Sequence, residues 1–277
     1  MAATDHGTAV QLGPQDVLAG LALSDEARWN QTEDDWRFFL IHGTVLGIRD
    51  AEGHLVATAA LLPYGSNAAW ISMVLVTTRW RRRSLATSLL DECLALASDR
   101  GLTPWLDATP AGARVYGPLG FTPTLHVQRL GFRGSVAPSP TTPELNPEAN
   151  FDELLARDRR AMGFDRASLL GELSARPDSR LFARDGALAL VRRGRKARHI
   201  GPLFADRPEQ ALALCEDIVR SETGPLLIDA VERPDGIVAG LTNSGWSVQR
   251  PFQRMRFGIA SGLATESPMA GAGPEYG

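Results

Sequence analysis

Apolar residues recur along this chain at two different periods, every second position in some blocks and every third or fourth in others, with Gly, Pro and Asp marking the breaks. Residues 9–12 read as a short strand and 15–27 as a helix. Thr32 with Asp35 three residues on makes a capping-box start for a second helix carrying Trp36, Phe38 and Phe39. Residues 44–48 and 55–61 read as strands on either side of the turn Asp50-Ala51-Glu52-Gly53, and 70–76 as a third. Leu85, Leu89, Cys93 and Leu96 then fall at helical spacing, and Gly101 closes that helix. Residues 103–107 form a short strand, Thr109-Pro110 supplies an N-cap and a first-turn proline for another helix, and 125–132 finish as a strand.

The second half repeats the later part of this order. Strands are predicted at 180–183, 187–192 and 198–204, a helix over 208–221 with Cys215 placed as Cys93 is, a strand at 226–229, a short helix near 234–241, and a last strand ending at Gly258. Leu106-Asp107-Ala108 matches Ile228-Asp229-Ala230, and Leu119-Gly120-Phe121 matches Ser244-Gly245-Trp246, which suggests an internal duplication. Pro138, Pro140, Pro143 and Pro147 mark a linker that neither a helix nor a central strand would tolerate. The expected organisation is one domain over 1–133, a linker over 134–147, a second domain over 148–260, and a disordered tail over 261–277, where Gly262, Pro268, Gly271, Gly273 and Pro274 cluster. The fold class is mixed α/β (α+β), with antiparallel hairpins early and a strand-helix-strand crossover later.

Composition narrows the function classes. With 277 residues, 44% hydrophobic content and 22% charge, the chain is an ordinary globular one. No apolar run is long enough for a membrane span, and the first residues lack the basic and apolar regions of a signal peptide, so a cytoplasmic protein without a membrane partner is expected. Cys93 and Cys215 both sit in apolar helical patterns, which predicts two buried thiols and neither a disulfide nor a metal cluster. Lys196 is the only lysine, so 28 of the 29 basic residues are arginine. A net charge of −3 argues against wholesale nucleic-acid binding and moves attention to two local arginine runs. Arg192 to Arg198 reads as a solvated hairpin tip around Gly194. Arg79, Arg81, Arg82 and Arg83 fall between a strand and a helix start, where backbone N–H groups and the helix dipole suit a phosphate.

That second run carries a resemblance. Val74-Leu75-Val76, a short spacer, and Arg81, Ser84 and Ala86 resemble the acyl-CoA loop of the GNAT N-acetyltransferase superfamily, a strand ending in Val followed by Arg/Gln-x-x-Gly-x-Gly/Ala. Ser84 stands where glycine is usual. The segment from Asp107 to Phe121, with Thr109, Tyr116 and Gly120-Phe121, is similar to that family's last motif, and the resemblance covers roughly residues 10–132. The repeated second half looks like a degenerate copy, with Asp206 and Pro208 where the cofactor loop would be and Leu241 in the place of Tyr116.

The resemblance implies two GNAT-like units, each a mostly antiparallel twisted sheet flanked by helices. Acetyl-CoA is the implied co-substrate, with no metal, held by Val74, Leu75, Val76, Arg81, Arg82, Arg83, Ser84, Leu85, Ala86, Thr87 and Thr109. Tyr116 would protonate the departing thiolate. Trp29, Asn30 and Gln31, with Ser72, would face a small polar amine. Candidate bases are Asp107, with Ser72 as relay, and Glu33, Asp35, His42 and His126, capping being the stronger role for Asp35. The alternative is a GNAT-like module that holds acyl-CoA or another ligand without turnover. Nucleic acid is not an expected partner, and a homodimer is left open.

Overall fold

The computed structural model describes residues 8–134, 147–259 and 268–277. Its contacts divide the chain into two compact units, residues 1–106 and 107–277. In the first unit β1 (Val10–Gln11) is followed by helices α1 (Val17–Glu26) and α2 (Glu33–His42), then by strands β2 (Thr44–Arg49), β3 (Leu55–Tyr64) and β4 (Ala68–Val76). Helix α3 (Leu85–Asp99) crosses to β5 (Thr103–Ala108). The strands lie in the order β1-β2-β3-β4-β5, antiparallel up to β4, with β5 parallel to β4 as the crossover requires. The capping box forms as predicted: the Asp35 backbone N–H donates to Thr32 Oγ1 at 3.3 Å, and Thr32 N–H donates to the Asp35 carboxylate at 2.7 Å. Leu85, Leu89 and Cys93 of α3 are buried, and the helix packs on β3 and β4.

The second unit begins at Asp107. It holds α4 (Pro110–Tyr116), β6 (Phe121–Phe132), α5 (Pro147–Met162), α6 (Ala167–Ala175), β7 (Arg180–Arg184), β8 (Ala187–Arg192), β9 (Arg198–Ala205), α7 (Pro208–Ser221), β10 (Leu226–Val231), α8 (Ile237–Asn243) and β11 (Ser247–Phe257). Ala211, Leu214, Cys215 and Ile218 on one face of α7 are at most 1% exposed against the sheet. Burial of Leu214 and of Ile218 contributes about 1.5–3 kcal/mol each. Cys93 and Cys215 are both buried, and burial pushes each thiol up to about 12, so they serve as core residues.

The packing division falls earlier than the proline-rich boundary. The strand order in the second unit is β11-β6-β10-β9-β8-β7, so β6 is bonded on both edges to strands that follow the linker. Two ion pairs repeat this exchange. Arg129, nine residues after Gly120, clasps Asp229 through Nε and Nη2 at 2.8 and 2.7 Å. Arg254, nine residues after Gly245, clasps Asp107 through the same atoms at 2.8 and 2.9 Å. Each aspartate of one repeat thus meets the arginine on the last strand of the other, which supports the duplication seen in sequence. Except for Gly134 and Pro147, the linker lies outside the described residues.

Two expectations change. Residues 261–267 of the expected disordered tail lie outside the described residues, but Pro268–Gly277 is packed into the second unit, with Ala270 and Tyr276 wholly buried. The run from Arg192 to Arg198 is not a solvated tip throughout, since Arg192 is 1% exposed and donates to Glu275 at 2.7 Å. Beside it, His199 Nε2 meets Asp229 at 2.8 Å. Burial depresses the His199 pKa, the Arg192 charge adds to that, and the bond to Asp229 opposes both, which keeps the imidazole neutral. For Asp229, burial alone would raise the carboxyl, but Arg129 and the bond to His199 outweigh it and hold the group well below the usual carboxylate range.

Candidate active site

In the first unit the site residues follow from an irregularity in β4. Its register with β3 passes from Ala60↔Ser72 to Thr58↔Leu75, so Met73 and Val74 together oppose Ala59. This is a β-bulge, a device that re-aims a strand. Met73 takes a left-handed φ of 51°, and Thr58 Oγ1 donates to its carbonyl at 2.8 Å. On the other edge β4 pairs with β5 only through Ala68–Trp70, and residues 71–76 run on past the last of these pairs. Ser72 is 7% exposed and Gln31 is 3% exposed, yet Ser72 Oγ and Gln31 Oε1 find no hydrogen-bond partner. Buried polar atoms are seldom left so, and both have capacity for a polar ligand or an ordered water. Trp29 is half-buried and Asn30 buried in the α1–α2 connection.

Past Val76, Thr77 N–H bonds back to Val56 O, and Thr78–Trp80 form one 3-10 turn. Arg82 (φ 62°) and Ser84 (φ 61°) are both left-handed, and Ser84 leads into the fifteen-residue α3, whose first turn holds no acidic residue. Backbone N–H groups in such alternating conformations converge into an anion-binding concavity, here continued by the orphan N–H groups of a helix start. The left-handed conformation explains why the motif favours glycine at position 84. Arg81, Arg82 and Arg83 are exposed; Arg81 Nε reaches Val76 O at 3.1 Å, and the Arg83 guanidinium lies 4.6 Å from the Trp80 ring centre. Leu85 is a core side chain and can offer a ligand only its backbone, while Ala86 and Thr87 are half-buried.

Glu26 was not apparent from sequence. From the end of α1 its carboxylate accepts from Thr77 Oγ1 at 2.7 Å and from Thr78 N and Oγ1 at 2.6 Å each, tying down the start of the turn. The bonds from Thr78 and Thr77 lower its pKa. A lone acidic residue 51 positions upstream leaves no spacing signal.

The second unit holds Asp107, Thr109 and Tyr116. Thr109 caps α4, its Oγ1 accepting from Gly112 N at 3.2 Å. Tyr116 ends that helix, with its ring 6.1 Å from Phe121, which in turn stacks edge-on against Phe257 of β11 at 5.4 Å. A Cβ on Gly112 would come within 3.0 Å of Tyr116 Cε2, so this glycine makes room for the ring. Burial raises the Tyr116 phenol to about 12 and keeps it a proton donor at neutral pH. Asp107 is otherwise placed than a base requires: its side chain is 3% exposed and both oxygens accept from Arg254. Three of the other candidate bases are also engaged. Glu33 pairs with Arg37 at 3.0 Å, Asp35 caps α2, and His42 stacks on Phe38 at 4.6 Å. His126 is exposed on β6. Three groups able to ligate a metal, Asp50, Glu52 and His54, meet at the β2–β3 turn, but Asp50 already accepts from the His54 backbone, and the cluster has no link to the residues above.

Comparison with known proteins identifies the family. The family model described as "Acetyltransferase (GNAT) family" matches residues 18–121, and that described as "Acetyltransferase (GNAT) domain" matches 154–266. An uncharacterized N-acetyltransferase, YitH, of Bacillus subtilis is 23% identical over 232 residues, covering 79% of this chain and 80% of its own. The mycothiol acetyltransferase of Thermobifida fusca is 29% identical over 255 residues, 83% and 69% respectively. A putative acetyltransferase of Pyrococcus horikoshii shares the fold with a TM-score of 0.79 at 18% identity, covering 100% of this chain and 98% of its own. No helix among the described residues is long and apolar enough to cross a membrane. Two matched domains of one family, in the repeated element order described above, make this chain a tandem member of the GNAT acetyltransferase superfamily, an acyltransferase.

Proposed function

We propose that the protein transfers an acetyl group from acetyl-CoA directly to the amine of a small polar acceptor. The observation that carries this reading is the β4–turn–α3 segment, where a strand bulge is followed by a turn with two left-handed residues, three exposed arginines and the start of a long helix. Those features suit a thioester carbonyl and a pyrophosphate on consecutive stretches of one backbone. Along Val74-Leu75-Val76 successive N–H groups face opposite edges, so those on the edge away from β3, which β5 leaves unpaired, would meet the carbonyl, and such a preorganised donor is worth a few kcal/mol at the oxyanion. The backbone of Arg81 to Thr87 and the three guanidinium groups would hold the pyrophosphate. Thr109 is spent on capping α4, so its contribution is to fix the helix that carries Tyr116.

Amine attack forms the C–N bond, and expulsion of the thiolate breaks the C–S bond. Tyr116, protonated up to about pH 12, supplies the proton that the sulfur takes up, a role worth roughly 10²- to 10⁴-fold. Asp107 is spent on its ion pair with Arg254 and enters this reading as a structural residue. With the candidate carboxylates Asp107, Glu33 and Asp35 engaged elsewhere, the acceptor reacts as its free amine, and kcat/KM rises with pH toward an amine pKa of about 10. Gln31 Oε1 and Ser72 Oγ, both lacking partners, suit N–H or O–H donors of the acceptor. The test is mass spectrometry of products from a panel of amines with acetyl-CoA, wild type against Tyr116→Phe. Acetylated product from wild type, and at least about 100-fold less from the variant, is expected. No calorimetric binding of acetyl-CoA at millimolar concentration would sink the assignment.

A further inference from the structure

The second unit rebuilds the irregular strand of the first and then fills it. β9 and β10 are parallel neighbours over Arg198↔Leu226, His199↔Leu227 and Ile200↔Ile228, as β4 and β5 are over three pairs. β9 also has its own bulge, passing from Val191↔Ile200 to Ala189↔Leu203, so that Gly201 and Pro202 oppose Leu190. Beyond the last parallel pair, Ala270 bridges Leu203 on β9 and Ala230 on β10, antiparallel to both. Leu203 N donates to Ala270 O at 3.0 Å, Met269 N to Leu203 O at 2.8 Å, Val231 N to Met269 O at 2.9 Å, and Gly271 N to Asp229 O at 3.0 Å. A Cβ on Gly201 would lie 2.0 Å from Gly271 O, so the bulge that carries Met73 in the first unit has room only for glycine here.

Side chains read the rest of the segment. Arg192, wholly buried, donates to Glu275 Oε1 at 2.7 Å and to Ala272 O at 2.8 Å, with its guanidinium 5.4 Å from the Tyr276 ring centre. Arg166, clasped by Asp158, donates to Tyr276 O at 2.9 Å. The stretch Ala270-Gly271-Ala272-Gly273 has the small side chains a gap between two strands can admit. By contrast, the turn after β9 has Asp206 and Pro208 where the first unit has arginines and free N–H groups.

We propose that the gap between β9 and β10 is a peptide-binding site whose resident ligand is this chain's own segment Pro268–Gly277, so that the protein holds one acyl-CoA, in its first unit. The statement about stoichiometry rests on the acetyl-CoA reading above; the peptide site does not. The ligand class is a peptide extended over 269–271, with small residues there, that then turns at Gly273–Gly277 and so brings an acidic and an aromatic residue to Arg192.

Hydrogen exchange of the full chain, read by mass spectrometry with and without saturating acetyl-CoA, tests this together with binding stoichiometry by calorimetry. Amides 269–271 should exchange at least roughly 100-fold slower than in a free peptide, unchanged by acetyl-CoA, while residues 76–88 gain protection and one equivalent binds. In the full-length Arg192→Gln variant, exchange across 269–277 should speed up at least about tenfold with stoichiometry still one. Glu275→Gln is the second variant should the first fold poorly, and it should behave alike. A second equivalent of acetyl-CoA, or exchange of 268–277 hastened by acetyl-CoA, would show an acyl-CoA site with a displaceable strand and overturn the proposal. Unprotected amides at 269–271, or exchange indifferent to both variants, would overturn it as well. No acetyl-CoA bound, with 269–271 still slow, would remove the first-unit reading and leave the peptide site supported.

Discussion

Replacing Asp107 by Asn separates a base from a buried ion-pair partner. Both carboxylate oxygens accept from Arg254, and the two side chains are 3% and 5% exposed. The amide keeps the shape but removes the charge and one of the acceptors, leaving a guanidinium buried without its counter-charge. Removing one partner of such a pair costs about 3–5 kcal/mol. For a body the size of residues 107–277, each kcal/mol moves Tm by about 2–4 °C, so a fall of roughly 10 °C is expected. Asp229→Asn, at the reciprocal pair with Arg129, should cost a similar amount, and Arg254→Met on top of Asp107→Asn should recover much of the loss. The assays are calorimetric unfolding and the pH profile of kcat/KM below the midpoint. If Asp107→Asn left Tm within 1 °C while kcat fell ~100-fold and the acid limb of the profile vanished, Asp107 would be the base and the ion-pair argument wrong.

Tyr116→Phe should lower kcat roughly 10²- to 10⁴-fold and leave the KM for acetyl-CoA within about threefold; equal loss in both would point to a packing role. Ser84→Gly relieves a left-handed backbone at φ 61°, and after the entropy cost of glycine the first unit should gain about 1 kcal/mol in denaturant titrations. A loss of stability there would mean the serine hydroxyl holds the turn. His199 has a folded pKa depressed by burial, so the unfolded chain takes up a proton first as pH falls. Its contribution to stability is complete above about 6.5 and is lost below it by about 1.4 kcal/mol per pH unit, until the depressed folded value is reached. Unfolding free energies at pH 7.5 and 5.5 check this, and a His199→Gln variant with the same slope would exclude the imidazole as its source.

Periodicity exposed the strands and helices whose one face is apolar, and it placed the β4–turn–α3 segment and Tyr116 on the right elements. It did not expose α5 and α6, although Leu154, Leu169, Leu170 and Leu173 are buried along them, because the surrounding residues are so polar or so short in run that no window stands out. Nor could it show which strands pair. An alternating pattern marks the faces of β6 but is silent on whether its edges meet β5 or β10, and that choice decides that Asp107 finds Arg254, 147 residues away. Residues 268–277 misled for a related reason: glycine, alanine and proline are the composition of disorder, and they are also the residues thin enough to enter a gap between two strands.

The arginine excess divides on the same line. The structure does not require arginine at exposed positions such as Arg37 and Arg220, whose pairs with neighbours on the same helix contribute a few tenths of a kcal/mol and would survive exchange for lysine. It does require arginine at 129, 166 and 254, each of which spends two nitrogens on one carboxylate in the interior of the second unit. A lysine there presents a single compact charge that meets one oxygen and leaves the other without a donor, at a cost of about 1–3 kcal/mol for each unsatisfied group. Arg→Lys at 129 or 254 should therefore lower the stability of the second unit by at least that much, against no measurable change at 37 or 220. Equal effects at buried and exposed positions would refute the two-nitrogen argument.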